Sequence, residues 1–119
     1  MPENEKAFFG LLGLCQRAGC LKSGADMAVA AVRSGKARLV LADGEAAPNT
    51  KKKLSDACIY YRVPLLLLPP GLLEAAIGKS GRMAAAVTDA GFAARLTALH
   101  EKNQAKIDDP GVQASNGEV

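Results

Sequence analysis

Three short apolar runs limit what this chain can fold into: Leu39-Val40-Leu41-Ala42, Leu65-Leu66-Leu67-Leu68, and the stretch from Met83 to Thr88. The first two carry no polar face at all. A strand covered on one side alternates apolar with polar residues, whereas a strand covered on both sides does not. Pro69-Pro70 stops the second run, because proline cannot donate to a central ladder. Longer segments with helical spacing lie between the runs. That alternation predicts crossover units, a largely parallel sheet and helices on both faces. The expected fold class is α/β, a three-layer α/β/α sandwich.

The helices follow from spacing and caps. Phe8, Leu11, Leu12 and Cys15 fall at i, i+3, i+4 and i+7, which places them on one face of a helix from Asn4 to Ala18, stopped by Gly19. Ser23-Gly24-Ala25-Asp26 fits a capping box, with Ser23 as the cap and Asp26 three residues on. The second helix ends near Ser34-Gly35, with Arg33 in its last turn. Pro48-Asn49-Thr50 opens the third, Asn49 or Thr50 serving as cap and Leu54, Ala57, Cys58 and Tyr61 forming the buried stripe. A short helix from Gly71 to Ile77 leads to the loop Gly78-Lys79-Ser80-Gly81-Arg82. Asp89 caps the last helix, in which Phe92, Leu96 and Leu99 share a side.

A length of 119 residues predicts one domain. Twenty-two alanines against three Phe, two Tyr and no Trp imply a core of close-packed small residues with little room for a deep pocket. The composition changes at Glu101: residues 101–119 hold two Lys against four Asp or Glu, with Ile107 and two Val as their large apolar residues. Such a segment buries too little apolar area to offset the entropy of ordering it. The expected organisation is a domain over 1–100 and a disordered tail over 101–119. The tail carries a net −2, which leaves +5 on the domain out of a total of +3.

Cys15, Cys20 and Cys58 contain no CxxC pair, and His100 is the single histidine. Tetrahedral zinc sites use closely spaced ligand pairs, so no metal and no cofactor is expected. Neither a secretory apolar segment nor a run of 18 apolar residues is present. The expectation is a cytoplasmic protein with no membrane partner, its reduced cysteines serving as small core hydrophobes.

Catalytic signals are weak. Gly78-Lys79-Ser80 resembles the end of a phosphate-binding loop, but the pattern needs glycine at position 73, where Leu73 stands. Asp43 and Glu45 follow a strand and could act as acid and base; their expected role is to solvate a loop. His100 is expected to face solvent. The chain reads as a non-enzyme.

The charge pattern says more. Between Lys22 and Arg62 lie eight basic residues (Lys22, Arg33, Lys36, Arg38, Lys51, Lys52, Lys53, Arg62) against four acids. Lys51-Lys52-Lys53 opens a helix, the end where the dipole is positive and disfavours cations. A phosphate there would be held by exposed N–H groups and lysines together. With Lys22-Ser23-Gly24 before another helix start and two more cations, Lys79 and Arg82, on a glycine loop, the expected surface is a concave basic rim. Such a rim suits an irregular RNA backbone. Tyr60 and Tyr61 are the only tyrosines, and with Tyr61 expected to be buried, no stacking platform for single strands is foreseen.

Residues 6–99 resemble the ribosomal protein L7Ae/L30e superfamily, and within it the small bacterial YlxQ-type branch. The matching stretches are Leu11-Leu12-Gly13-Leu14-Cys15-Gln16-Arg17-Ala18-Gly19, Leu21-Lys22-Ser23-Gly24, Arg33-Ser34-Gly35-Lys36-Ala37-Arg38-Leu39-Val40-Leu41, and Asn49-Thr50-Lys51-Lys52-Lys53-Leu54. They continue through Tyr61-Arg62-Val63-Pro64, Ile77-Gly78-Lys79 and Thr88-Asp89-Ala90-Gly91-Phe92. The resemblance implies a small mixed central sheet and binding of kink-turns or related bends in structured RNA. The family signature Gly-x-Asn-Glu-x-x-Lys meets Gly24, Asp26, Met27 and Ala30 here, so only the glycine is shared. Asp26 adds negative charge, Met27 removes an acceptor for base edges, and Ala30 removes a phosphate contact.

The resulting expectation is non-catalytic binding of structured RNA, ribosomal or translation-related, with no DNA partner. The RNA-binding residues named by these arguments are Lys22, Ser23, Gly24, Asp26, Lys36, Asn49, Lys51, Lys52, Lys79 and Arg82. Lys36, Lys51, Lys52, Lys79 and Arg82 would contact phosphate, and Asn49 a base or ribose. The competing expectation is a protein-interaction module or homodimer that has lost kink-turn recognition, docking through Met27, Val29 and Ala30.

Overall fold

Each apolar run forms a strand, and each is flanked by the helices its spacing predicts. A computed structural model of the chain describes residues 3–107. The elements run α1 (Glu3–Arg17), β1 (Leu21–Ser23), α2 (Ala25–Arg33), β2 (Leu39–Asp43), α3 (Pro48–Tyr61), β3 (Leu65–Leu68), α4 (Leu72–Ile77), β4 (Ala84–Val87) and α5 (Ala90–Ile107). β1 is too short, at three residues, to show a period of two, and the apolar pattern did not reveal it.

The sheet order is β1-β4-β2-β3. β2 and β3 are parallel, with Val40 opposite Leu65. β4 runs antiparallel to both its neighbours, pairing Ala85 with Leu41 on one side and with Ser23 on the other. The sheet is therefore mixed, as the family resemblance implies, and not largely parallel, as strand–helix alternation alone predicts. α4 lies between β3 and β4, and the chain re-enters the sheet from the edge where β3 ends, in the opposite sense.

Alternate residues of the central strands face opposite sides, and both sides are covered. Leu39, Leu41, Ala85 and Val87 pack with Phe8, Leu12 and Cys15 of α1, Leu73 and Ile77 of α4, and Leu96 of α5. Val40, Ala42, Ala84 and Ala86 pack with Ala28, Val29 and Val32 of α2 and with Leu54 and Cys58 of α3. β2 is buried along its whole length, as its apolar run predicts. The outer strand β3 is not: Leu67 is 49% exposed.

Two helix starts differ from expectation. Ser23 ends β1 instead of capping α2; Gly24 takes the cap position at φ 108°, with no side-chain cap bond. Strand pairing with β4 claims Ser23, and only glycine reaches that φ without strain. The cap of α3 lies two residues before Asn49, at Ala47, with Pro48 in the first turn, so Asn49 and Thr50 lie inside the helix. Asp89 does cap α5, its Oδ1 accepting the Phe92 N–H at 2.9 Å. α5 continues past His100 to Ile107, so 101–107 is helical where a tail was expected. The remainder of that expected tail, 108–119, lies outside the described residues, as do Met1 and Pro2.

The buried thiols have a measurable consequence. Burial, aided by Cys20 and Asp89, pushes Cys15 from the usual 9.0 up to about 12, and burial raises Cys58 in the same direction. Both thiols thus stay protonated in the fold while the unfolded chain ionises, so stability falls as pH rises above about 9. The urea midpoint is expected to decline steadily across that alkaline range. At neutral pH, iodoacetamide is expected to label half-buried Cys20 while sparing Cys15 and Cys58 until the chain unfolds, as read by mass spectrometry.

Candidate nucleic-acid interface

Because β4 is antiparallel, one edge of the sheet collects the ends of β1, β2 and β3 and the start of β4. Backbone bonds knit it: Gly24 N–H to Ala84 O at 2.7 Å, Asp43 N–H to Met83 O at 2.8 Å, and Gly44 N–H to Leu68 O at 2.9 Å. α2 and α3 both begin here, so two positive dipole ends emerge side by side. The 78–82 loop lies at the same edge, since it leads directly into β4. Its Gly81 N–H donates to the Glu74 carboxylate, which ties the loop back to α4.

Asp43 holds this edge together. It is 2% exposed, the one charged residue buried among the described ones. Its Oδ1 accepts the Glu45 N–H at 2.7 Å, and its Oδ2 accepts the Gly71 N–H at 2.8 Å. The expectation that Asp43 solvates a loop is therefore corrected: the side chain turns inward and joins β2 to the start of α4. With both oxygens engaged by backbone, it forms no acid–base pair with exposed Glu45.

The cations sit above that frame. Lys52 pairs with Asp56 at 3.0 Å, and Lys53 pairs with Asp26 at 3.4 Å, bridging α3 to α2. Both pairs are exposed, and exposed pairs are worth about 0–1 kcal/mol, so a phosphate can take over either lysine. Lys51 and Arg82 are half-buried. The Arg82 Nε is buried with no hydrogen-bond partner among the described residues.

Ser23, Gly24, Asp26, Asn49, Lys51, Lys52, Lys79 and Arg82 thus share one rim, and Lys22 lies one residue inside it on β1, opposite Ala86. Lys36 does not share it. It follows α2 at the opposite end of the sheet, beside Arg38, whose N–H bonds Val87 O where β4 finishes. Arg33 and Arg62 end their helices at that far end too. The eight basic residues therefore divide between two ends, a separation that residue numbers do not reveal.

Three further expectations are corrected. Tyr61 is 43% exposed and Tyr60 79%, because Leu54 and Cys58 alone fill the buried stripe of α3. Val29 is buried, which removes it from the apolar patch proposed with Met27 and Ala30. His100 is half-buried, and its Nε2 lies 3.2 Å from Leu67 O on the outer strand. Among the described residues no group of His, Cys, Asp and Glu is arranged to hold a metal ion, and no helix is long and apolar enough to cross a membrane.

No family model matches the chain. The RNA-binding protein YlxQ of Bacillus subtilis is 43% identical over 93 residues, covering 77% of this chain and 93% of that protein. The chain belongs to the YlxQ family. The Enterococcus faecium RNA-binding protein YlxQ is 36% identical over 99 residues, covering 82% of this chain and 95% of its own. A solved protein of unknown function from Bacillus halodurans shares 40% identity at a TM-score of 0.76, covering 79% of this chain and 96% of that one. The Giardia lamblia 15.5kD RNA binding protein superposes at a TM-score of 0.65 over 88% of this chain and 92% of its own. At 21% identity it shows the shared fold.

The rim depends on the Asp43 tie, and that dependence can be measured. Asp43→Ala is expected to lower the unfolding free energy by about 2–4 kcal/mol, since two charge-assisted bonds vanish and their N–H donors are left behind. Urea denaturation of the two proteins checks it.

Proposed function

We propose that this chain binds structured RNA of ribosomal or translation-related origin as a non-catalytic protein, through the rim of helix starts and the 78–82 loop. One observation supports the reading: two helix N-termini and the segments that carry Lys51, Lys52, Lys79 and Arg82 lie at a single sheet edge, and the Arg82 Nε has no hydrogen-bond partner among the described residues. Backbone N–H groups and cations at one place are what a phosphate backbone requires. The relatives from Bacillus subtilis and Enterococcus faecium both carry RNA binding in their names.

In this reading Lys51, Lys52, Lys79 and Arg82 contact phosphates, with Lys22 at the margin. Ser23 and Gly24 let the nucleotide chain approach the start of α2 closely. Asn49, exposed in the first turn of α3, reaches a base or ribose. Lys53, which pairs with Asp26 in the free chain, offsets the negative charge of Asp26 on the RNA side. Lys36 has no part in this contact. Because Asp26, Met27 and Ala30 replace the polar signature, shape and backbone supply the affinity more than base edges do.

Titration against a kink-turn RNA, a plain duplex and total ribosomal RNA tests the proposal at about 50 and 200 mM salt. Affinity is expected to fall by orders of magnitude between the two. Lys51→Glu with Lys52→Glu is expected to weaken binding at least tenfold and to reduce the salt slope by about 2, with thermal unfolding unchanged. Unaltered affinity in that variant would remove the phosphate assignment. The contact surface lies within 1–100, so a chain ending after Ile107 is expected to bind as the full chain does.

A further inference from the structure

The outer face of α3 carries a second feature that the rim does not use. Leu54 and Cys58 point into the core, and a residue two positions beyond Cys58 is turned about 200° away from it. Tyr60 accordingly stands out from the surface, and Tyr61 packs edge-on against it, the ring centroids 4.8 Å apart at 73°. α2 and α3 start at the same edge and pack side by side. In the groove between them, Arg33, Lys53, Asp56, Ala57, Tyr60 and Tyr61 line a shallow depression of about 340 Å³.

Two cations beside an exposed aromatic face form the combination that holds single-stranded nucleic acid: charge tracks the backbone and the ring stacks a base. The depression also connects with the rim. Lys53 lines it and at the same time bridges to Asp26 at the start of α2, so positive charge continues from Lys51 and Lys52 into the groove. α3, 14 residues long, carries that path about 20 Å from the rim to Tyr60. Asp56 is the one acid in the lining, and in the free chain it pairs with Lys52.

We propose that a single-stranded RNA segment, leaving the structured element on the rim, runs along the α2–α3 groove with its phosphates on Lys53 and Arg33 and a base stacked on Tyr60. This rests on the rim reading above and adds to it a preference for RNA with an unpaired flank. Charge favours this occupant: a polyanion satisfies Arg33 and Lys53, which an apolar protein surface would leave stranded.

A blunt RNA hairpin and the same hairpin with an oligoadenylate flank of about 10 nucleotides separate the two claims. The flank is expected to raise affinity about tenfold, and Tyr60→Ala to abolish that gain while leaving blunt-hairpin binding intact. Tyr60→Phe, which keeps the ring, is expected to retain it. With two tyrosines and no tryptophan in the chain, intrinsic emission reports on this site directly and should be quenched by the flanked RNA alone. An equal affinity for both hairpins, or flanked binding unmoved by Tyr60→Ala, overturns the groove and leaves the rim standing. Failure of the wild-type protein to bind either hairpin overturns both. Self-association lost in Tyr60→Ala, with RNA binding unmoved, would assign the tyrosines to a second copy of the chain instead.

Discussion

The antiparallel pairing of β4 between β1 and β2 is the constraint on which the rest of this molecule depends. Leu41 opposite Ala85, with Ala85 opposite Ser23 on the other side, decides that the starts of α2 and α3 and the 78–82 loop reach the same edge. A parallel β4 would begin at the far end and carry the glycine loop away with it. The composition of β4 suits this central place. Ala84, Ala85 and Ala86 are fully buried, and their small side chains let helices approach the sheet from both faces. The alanine-rich composition thus has a definite place in the structure, as filling for a strand covered on two sides.

The edge so assembled is electrostatically unfinished. Three lysines open α3, where the dipole disfavours them, and the fold compensates with Asp56 on the next turn and Asp26 on the neighbouring helix. Both pairings are solvent-exposed and cheap to exchange. An arrangement of this kind keeps cations in position without locking them away. Asp26 thereby gains a role that the family signature does not suggest, as a partner for Lys53. The buried carboxylate of Asp43 does the opposite work, fixing backbone so that the exposed charges above it have a rigid base.

The division of basic residues between two ends changes how the surface reads. Arg33 and Lys36, three residues apart in the chain, belong with the far ends of the helices and not with Lys51. Tyr60 and Tyr61 sit at that same end. The groove between α2 and α3 runs between the two regions, with Lys53 toward the rim and Arg33, Tyr60 and Tyr61 toward the far end.

The strands β2, β3 and β4, the faces of α1 and α5, and the Asp89 cap were all legible in the sequence. Apolar run length, helical spacing and local capping are properties of neighbouring residues, and they survive into the fold unchanged. The lysine cluster at the start of α3 was legible as well, because it conflicts with the dipole of its own helix. Strand direction was not, since it turns on pairing between segments distant in sequence. Nor was the fate of Ser23, which β4 claims for pairing before it can cap a helix. Asp43, Tyr61 and Lys36 were misplaced for one reason: burial of a side chain, and the end of the sheet at which it lies, depend on partners distant in sequence. The chain's own order determined what kinds of elements form and how much charge they bear; only tertiary packing, through the sense of β4, decided which of those charges stand together.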